Sequence, residues 1–266
     1  MTSAQAIIQA VVEGLTEFLP ISSTAHMKFV NPMIGVDAND DFAKLFDIVI
    51  QLPAILAVVV VYWKKFFDFS RLNFYTKLII AVIPALVFGA LLSKYIDRAL
   101  DNLYFIATVM VAGGIVFLFV DKWFTNPSIQ DEQHVSNGVA FKIGCFQVLS
   151  ILLPGLSRSA CTIIGGMSQK LTRKAAAEFS FFLAVPTMLA ATVKKVWDAH
   201  KEHPDMLNRE HATIMLLSSI VTFFVAILVI RFFIDFLKKY GFKPWGYYRI
   251  VAGLAMLFLL WRGIIA

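Results

Sequence analysis

This 266-residue chain is short of charge: Asp, Glu, Lys and Arg make up only 16% of it, against about a quarter in a soluble domain. So little polar surface cannot cover a soluble fold of this size. Cysteine is scarce too. Cys145 and Cys161 are the only two, both set in apolar sequence without CxxC spacing, which excludes a disulfide framework and a paired-thiolate metal site. The apolar runs lack period-two alternation, which excludes a membrane β-barrel. Residues 1–9 have no basic stretch, and Glu13 and Glu17 interrupt the apolar segment after them, so no cleavable signal peptide is expected. The net charge of +6 in so apolar a chain reads as basic loops at a membrane, not as nucleic-acid binding.

What remains is hydrophobic: 59% of the residues, 25 of them Phe, with a mean hydropathy of +0.73. Apolar segments run over about 42–63, 74–97, 102–122, 176–197, 211–234 and 245–264, each long enough to span a bilayer as a helix. Two others, about 4–30 and 138–172, are broken by Pro and then by a hydroxyl-rich run. Unwound backbone at membrane depth survives only where protein or a water-filled cavity surrounds it, so both read as re-entrant helix hairpins. The expected fold is an all-α polytopic membrane protein with six transmembrane helices and two re-entrant hairpins.

The chain also repeats. Leu19-Pro20-Ile21-Ser22-Ser23 resembles Leu153-Pro154-Gly155-Leu156-Ser157-Arg158-Ser159 with one residue added; Phe46–Ala57 aligns without gaps on Phe179–Ala190; Val111-Ala112-Gly113 matches Val251-Ala252-Gly253. The offsets are 134, 133 and 140 residues. One integral membrane domain (1–266) is therefore expected, with repeat 1 over about 1–123, a polar linker over about 124–137 and repeat 2 over about 138–266. Each half has a hairpin and three spans. Three is odd, so the halves are inverted and their hairpins meet near the midplane.

Lys64, Lys65, Arg71, Lys77, Lys122, Arg173, Lys174, Lys238, Lys239 and Lys243 fall on one side of this topology. Lys28, Lys44, Lys94, Arg98, Lys194, Lys195, Lys201 and Arg209 fall on the other. The larger group is assigned to the cytoplasm, with both termini outside.

The chemistry concentrates in the two hairpins. Glu13 and Glu17, four residues apart, share a helix face, and in a low-dielectric site they would share a proton or a cation. Ser22, Ser23, Thr24 and His26 follow Pro20. Hydroxyls and freed N–H groups in such a turn cradle an anion, and a Ser or a neutral His can attack phosphorus with a Glu as its base. The plainer alternatives are a helix cap for the serines and an interior hydrogen bond for the histidine. Arg158 sits between Ser157 and Ser159 in the second hairpin. Its planar fork suits phosphate oxygens; the alternative is an ion pair with Glu13 or Glu17. Phosphate is favoured because Ser157, Ser159 and Thr162 add neutral donors. Asp47, Gln51 and Glu178 are weaker candidates for supporting positions around the site. Together these groups suit phosphoryl transfer from a phosphate ester or anhydride with a hydrocarbon tail. The rival class is a transporter flipping a polyprenyl phosphate through the same pocket, which needs no nucleophile.

At these residues, EGLTEFLPISSTAH (13–26) and PGLSRSACT (154–162), the chain resembles the bacterial undecaprenyl-diphosphate phosphatases of the bacitracin-resistance type. IQLPAILAVV (50–59) and EFSFFLAVP (178–186) extend the likeness over most of the chain. The resemblance implies hydrolysis of undecaprenyl diphosphate to the monophosphate and inorganic phosphate, recycling the lipid carrier for cell-wall synthesis. It also implies the bacterial inner membrane, a site open to the periplasm, and a divalent cation, Mg or Ca. The acidic pair Glu13 and Glu17 would hold that cation, Ser23 or His26 would be the nucleophile or its partner, and Arg158 the phosphate anchor. The partners implied are the lipid substrate and the bilayer, with a homodimer as an option. Ala25 and Ala160 replace glycines usual in the two motifs, which would strain the loops if those positions needed positive φ.

Overall fold

The computed structural model describes every residue except 38–39, 69–71, 203–205, 207 and 266; Arg71 of the charge tally lies outside the described residues. In chain order the helices are α1 (Ser3–Thr16), α2 (Ser23–Met33), α3 (Asp41–Val49), α4 (Gln51–Val61), α5 (Trp63–Phe66), α6 (Leu72–Leu91), α7 (Ser93–Asp101), α8 (Leu103–Trp123), α9 (Asn137–Leu152), α10 (Arg158–Ser168), α11 (Arg173–Glu202), α12 (Arg209–Tyr240) and α13 (Lys243–Trp261). Among the described residues there is no strand, only an isolated bridge between Ile129 and Leu171.

The boundaries follow from capping chemistry. Thr2 and Gln5 form a reciprocal capping box at the start of α1, and Asp40, Asn102, Ser136 and Asn208 cap α3, α8, α9 and α12, each accepting from an otherwise orphaned first-turn N–H. The α12–α13 corner turns on Gly241, whose φ is +67° and whose Cβ, if it had one, would lie 2.4 Å from Asp121 Oδ2. Asp121 in turn accepts from Phe242 N at 2.8 Å and Arg173 Nε at 2.9 Å.

Among the described residues, five segments are by length and composition apolar enough to cross a bilayer: Asp41–Val61, Leu72–Leu91, Leu103–Trp123, Arg173–Glu202 and Arg209–Tyr240. The remaining expected span is α13, which is long enough with 19 residues but is made more polar by Lys243, Tyr247, Tyr248 and Arg249. It lies along α8, where Gly114, Gly246 and Gly253 allow close backbone approach.

The two halves interlock. α1 of the first hairpin packs on α12 of the second half, and α9 of the second hairpin packs on α6 of the first. Both contacts depend on a glycine: a Cβ on Gly14 would meet Val225 Cβ at 2.8 Å, and one on Gly144 would meet Ala81 O at 2.3 Å. Phe18, Phe179, Phe181, Phe182 and Phe233 fill the shared core. The outer faces carry exposed Leu, Ile, Val and Trp, including Leu91, Leu228, Val251 and Trp261, as a surface solvated by lipid does.

The segment around Glu132, between α8 and α9, is held tightly at one end of the bundle. Buried Glu132 accepts from Lys65 Nζ at 2.7 Å, Lys65 also donates to Glu178 at 2.9 Å, and Lys77 Nζ donates to Gln133 O at 2.6 Å. α11 runs from this end, at Arg173 and Lys174, to Lys194 and Lys195 near its other end. The two basic groups of the sequence thus lie about 30 Å apart along this helix.

Candidate functional site

Each hairpin breaks where the sequence has its Pro–hydroxyl run. α1 stops at Thr16 and α2 starts at Ser23; α9 stops at Leu152 and α10 starts at Arg158. The residue before each new helix, Ser22 and Ser157, has positive φ (70° and 79°), a posture that costs a non-glycine residue about 1–2 kcal/mol. Each of these serines caps its helix, accepting from Ala25 N and Ala160 N at 3.3 and 3.4 Å. Helix caps are therefore one role of the serine runs. Ala25 and Ala160 themselves lie inside α2 and α10, outside the positive-φ set, so replacing the usual glycines costs no strain there. The remaining first-turn N–H groups of two helices are left for a ligand, with the favourable end of each helix dipole behind them.

The hairpins bring together residues 141 apart in sequence. Ser23 Oγ donates to Glu17 Oε2 at 2.5 Å, and Arg158 Nη2 donates to Glu17 Oε1 at 2.8 Å. The ion-pair alternative for Arg158 is the one formed, with Glu17. Arg158 Nη1 also donates to Ser180 O at 3.0 Å, and Nη2 approaches Met188 Sδ at 3.5 Å. Ser159 Oγ ties the turns directly by donating to Leu19 O at 3.0 Å.

A cavity of about 910 Å³ ends at Glu17, Ser22, Ser23, Thr24, Ser157 and Arg158. Apolar Leu45, Ile48, Ala85 and Leu86 line its middle, and Asp41, Lys44, Asp97, Lys194, Lys195 and Asp198 its rim. Gln51 lines it as well. A charged inner end and an apolar wall suit an anionic head on a hydrocarbon tail.

Several expected site residues do not line this cavity. His26 points elsewhere: its Nδ1 lies 2.7 Å from Ser22 O, which can only accept, so Nδ1 carries the proton. Its Nε2, 2.8 Å from Tyr248 Oη, accepts from that hydroxyl. Thr162 donates to Arg158 O at 2.9 Å and pairs with Ser180 Oγ at 2.6 Å; like Ser159 it braces the second turn. Asp47 accepts from Asn31 Nδ2 at 3.2 Å, and Asn31 Oδ1 accepts from Gln9 Nε2. Glu178 is not a support of the site. It pairs with Lys65 and with Lys174, at 3.8 Å, because two residues along α11 from Ser180 is the opposite helix face.

Glu13 is fully buried, and among the described residues neither of its carboxylate oxygens has a hydrogen-bond partner. Both oxygens of Glu17 are already bonded, and no three His, Cys, Asp or Glu side chains converge on a metal position among the described residues. A divalent ion takes about six oxygens. The pair offers the expected Mg or Ca ion only the two unpartnered oxygens of Glu13, so water and substrate phosphate would have to complete its shell.

The sequence reading missed Ser180, Tyr248 and Arg249. The available signal was a lone arginine in an otherwise apolar helix, which at membrane depth marks a functional position by default.

Fold and site together define a polytopic helical protein with a serine–glutamate–arginine centre where two broken hairpins meet. The chain belongs to the bacitracin resistance protein BacA family, whose model matches residues 6–255. It is 52% identical over 260 residues to an undecaprenyl-diphosphatase of Flavobacterium johnsoniae, covering 97% of this chain and 96% of that one. It is 48% identical over 280 residues to the protein of the same name in Porphyromonas gingivalis, covering 99% of each. It is 39% identical over 266 residues to that of Bdellovibrio bacteriovorus, covering 99% and 98%.

Proposed function

We propose that this protein hydrolyses undecaprenyl diphosphate to undecaprenyl phosphate and inorganic phosphate, recycling the carrier for cell-wall synthesis and conferring bacitracin resistance. The observation that carries the chemistry is the Ser23–Glu17–Arg158 chain at the cavity's inner end.

In this reading Ser23 Oγ attacks the terminal phosphorus and passes its proton to Glu17. The bond from phosphorus to the bridging oxygen breaks and the lipid monophosphate leaves. The departing lipid monophosphate carries off the proton from Glu17, whose restored carboxylate deprotonates the water that cleaves the phosphoserine, and that proton returns to Ser23 Oγ as inorganic phosphate leaves. Arg158 turns from Glu17 to the equatorial phosphate oxygens, joined by Ser22, Thr24, Ser157 and the N–H groups of α2 and α10. Stabilising those oxygens is most of what a protein can contribute to phosphoryl transfer. Ser23 is favoured over His26 as nucleophile because it lines the cavity beside a carboxylate, whereas His26 Nε2 is engaged by Tyr248. Flipping a lipid would need no such nucleophile–base pair.

The finer topology belongs to the same proposal. α13 is the sixth span, the hairpins are re-entrant, and the halves are inverted repeats joined by residues 124–137. The cavity opens to the periplasmic side of the inner membrane, supported by its rim carrying the smaller basic group, Lys44, Lys194 and Lys195. The test is phosphate release from a C55 or shorter polyprenyl diphosphate by purified protein in detergent. Release by wild type and its loss in Glu17→Ala are expected; lipid binding without release by wild type would favour the flippase.

A further inference from the structure

Among the described residues Arg249 is the largest fully buried side chain, and it forms no ion pair. Its donors all go to backbone carbonyls: Nη1 to Pro20 O at 3.1 Å and Leu156 O at 3.0 Å, Nη2 to Gly155 O at 2.8 Å and Val109 O at 3.5 Å, and Nε to Met110 O at 3.3 Å. The guanidinium also lies 5.1 Å from the Phe117 ring centroid. Pro20 belongs to the first hairpin turn, Gly155 and Leu156 to the second, and Val109 and Met110 to α8.

A buried cation without a counter-ion is costly, and an apolar side chain of the same volume would avoid that cost. What only a planar fork with five donors achieves is to hold several carbonyls in fixed relation. The carbonyls it holds lie just ahead of the site: Pro20 three residues before Ser23, and Leu156 two before Arg158. Because the peptide unit is planar and trans, turning Leu156 O toward Arg249 turns Ser157 N–H the other way. Room for the guanidinium comes from Gly113, where a Cβ would sit 2.5 Å from Arg249 Nη2.

We propose that Arg249 is a positioning residue: its guanidinium pins both hairpin turns to α8, fixing Glu17 and Ser23 on one turn against Arg158 on the other. The kinetic part of this proposal rests on the phosphatase reading; the structural part does not.

The test compares wild type with Arg249→Lys, Arg249→Met and Gly113→Ala by phosphate release from a polyprenyl diphosphate and by hydrogen exchange of peptides covering 17–24 and 153–160. Displacing reacting groups by an ångström costs on the order of 100-fold. Both Arg249 variants should therefore lose at least about 30-fold in kcat with KM within about threefold. Both turns should exchange faster together, while α11 and α12 keep wild-type protection. Gly113→Ala keeps the arginine but displaces its head, and should show the same paired loosening with about a fivefold loss in kcat. Wild-type kcat in Arg249→Lys, or lost activity with both turns still protected, would overturn the assignment. Should Arg249→Met fail to fold, the other two variants decide by the same criteria. If wild type itself released no phosphate, the phosphatase reading would fall, and hydrogen exchange alone would still decide the clamp.

Discussion

Ser22 and Ser157 hold the same backbone posture at matching places in the two hairpins, at φ 70° and 79°, and each caps the helix it precedes. Two demands conflict at these positions: the cap wants a hydroxyl, whereas the dihedral wants glycine. A Gly cap costs only a few tenths of a kcal/mol relative to Ser and relieves about 1 kcal/mol of strain, whereas Ala loses the cap and keeps the strain. Thermal unfolding in detergent should therefore rank Ser22→Gly at or above wild type and Ser22→Ala about 1 kcal/mol below it. The same order is expected at Ser157. Equal stability of the Gly and Ala variants would show that neither the strain nor the cap counts.

Ser23 and His26 should separate cleanly in kinetics. Ser23→Ala is expected to lower kcat by at least about a thousandfold, the scale seen when a nucleophile is removed, with lipid diphosphate still bound. His26→Ala and Tyr248→Phe should each cost no more than about tenfold, because they loosen the start of α2 without touching the reacting atoms. A reversed order would pass the nucleophile's role to His26.

Among the described residues no three acidic, histidine or cysteine side chains converge on a metal position at Glu13 and Glu17, which bears on metal binding. Titration calorimetry of the substrate-free protein with Mg or Ca should show no stoichiometric binding in the micromolar range. Tight binding abolished by Glu13→Gln would mean that the acidic pair rearranges into a cation site.

At the linker end, two carboxylates, Glu132 and Glu178, share the Lys65 ammonium. Burial pushes the Glu132 carboxyl up from 4.5 to about 7, despite the opposing pull of Lys65. A group that holds its proton more tightly when folded stabilises the fold in full below its unfolded pKa, and that contribution fades as pH rises through the folded value. Relative to Glu132→Gln, wild type should therefore lose stability as pH rises from about 4.5 to about 7. A flat difference between the two melting curves across that range would show that Glu132 is ionised throughout.

The sequence made the centre legible because Glu17, Ser23 and Arg158 are each anomalous in apolar surroundings, and because the Pro–hydroxyl breaks announce turns. The repeat placed those turns near one another despite their separation. It did not show which polar groups face the cavity. Ser159, Thr162 and His26 have the right chemistry, but helix phase turns them toward Leu19, Ser180 and Tyr248. Arg249 escaped notice for the opposite reason. Its partners are backbone carbonyls, which every residue has, so only its own isolation in an apolar helix points to it. The 42–63 run reads as one span and forms one, Asp41–Val61, with the helix interrupted only at Ile50, three residues before Pro53.

The stapled linker also gives the bundle a direction. Residues around Glu132 cover one end of the bundle through Lys65, Lys77 and the Ile129–Leu171 bridge. The charged rim of the cavity is built at the other end, from Lys44, Asp97 and Lys194. A lipid head drawn to that rim therefore meets the protein at the face the linker leaves bare.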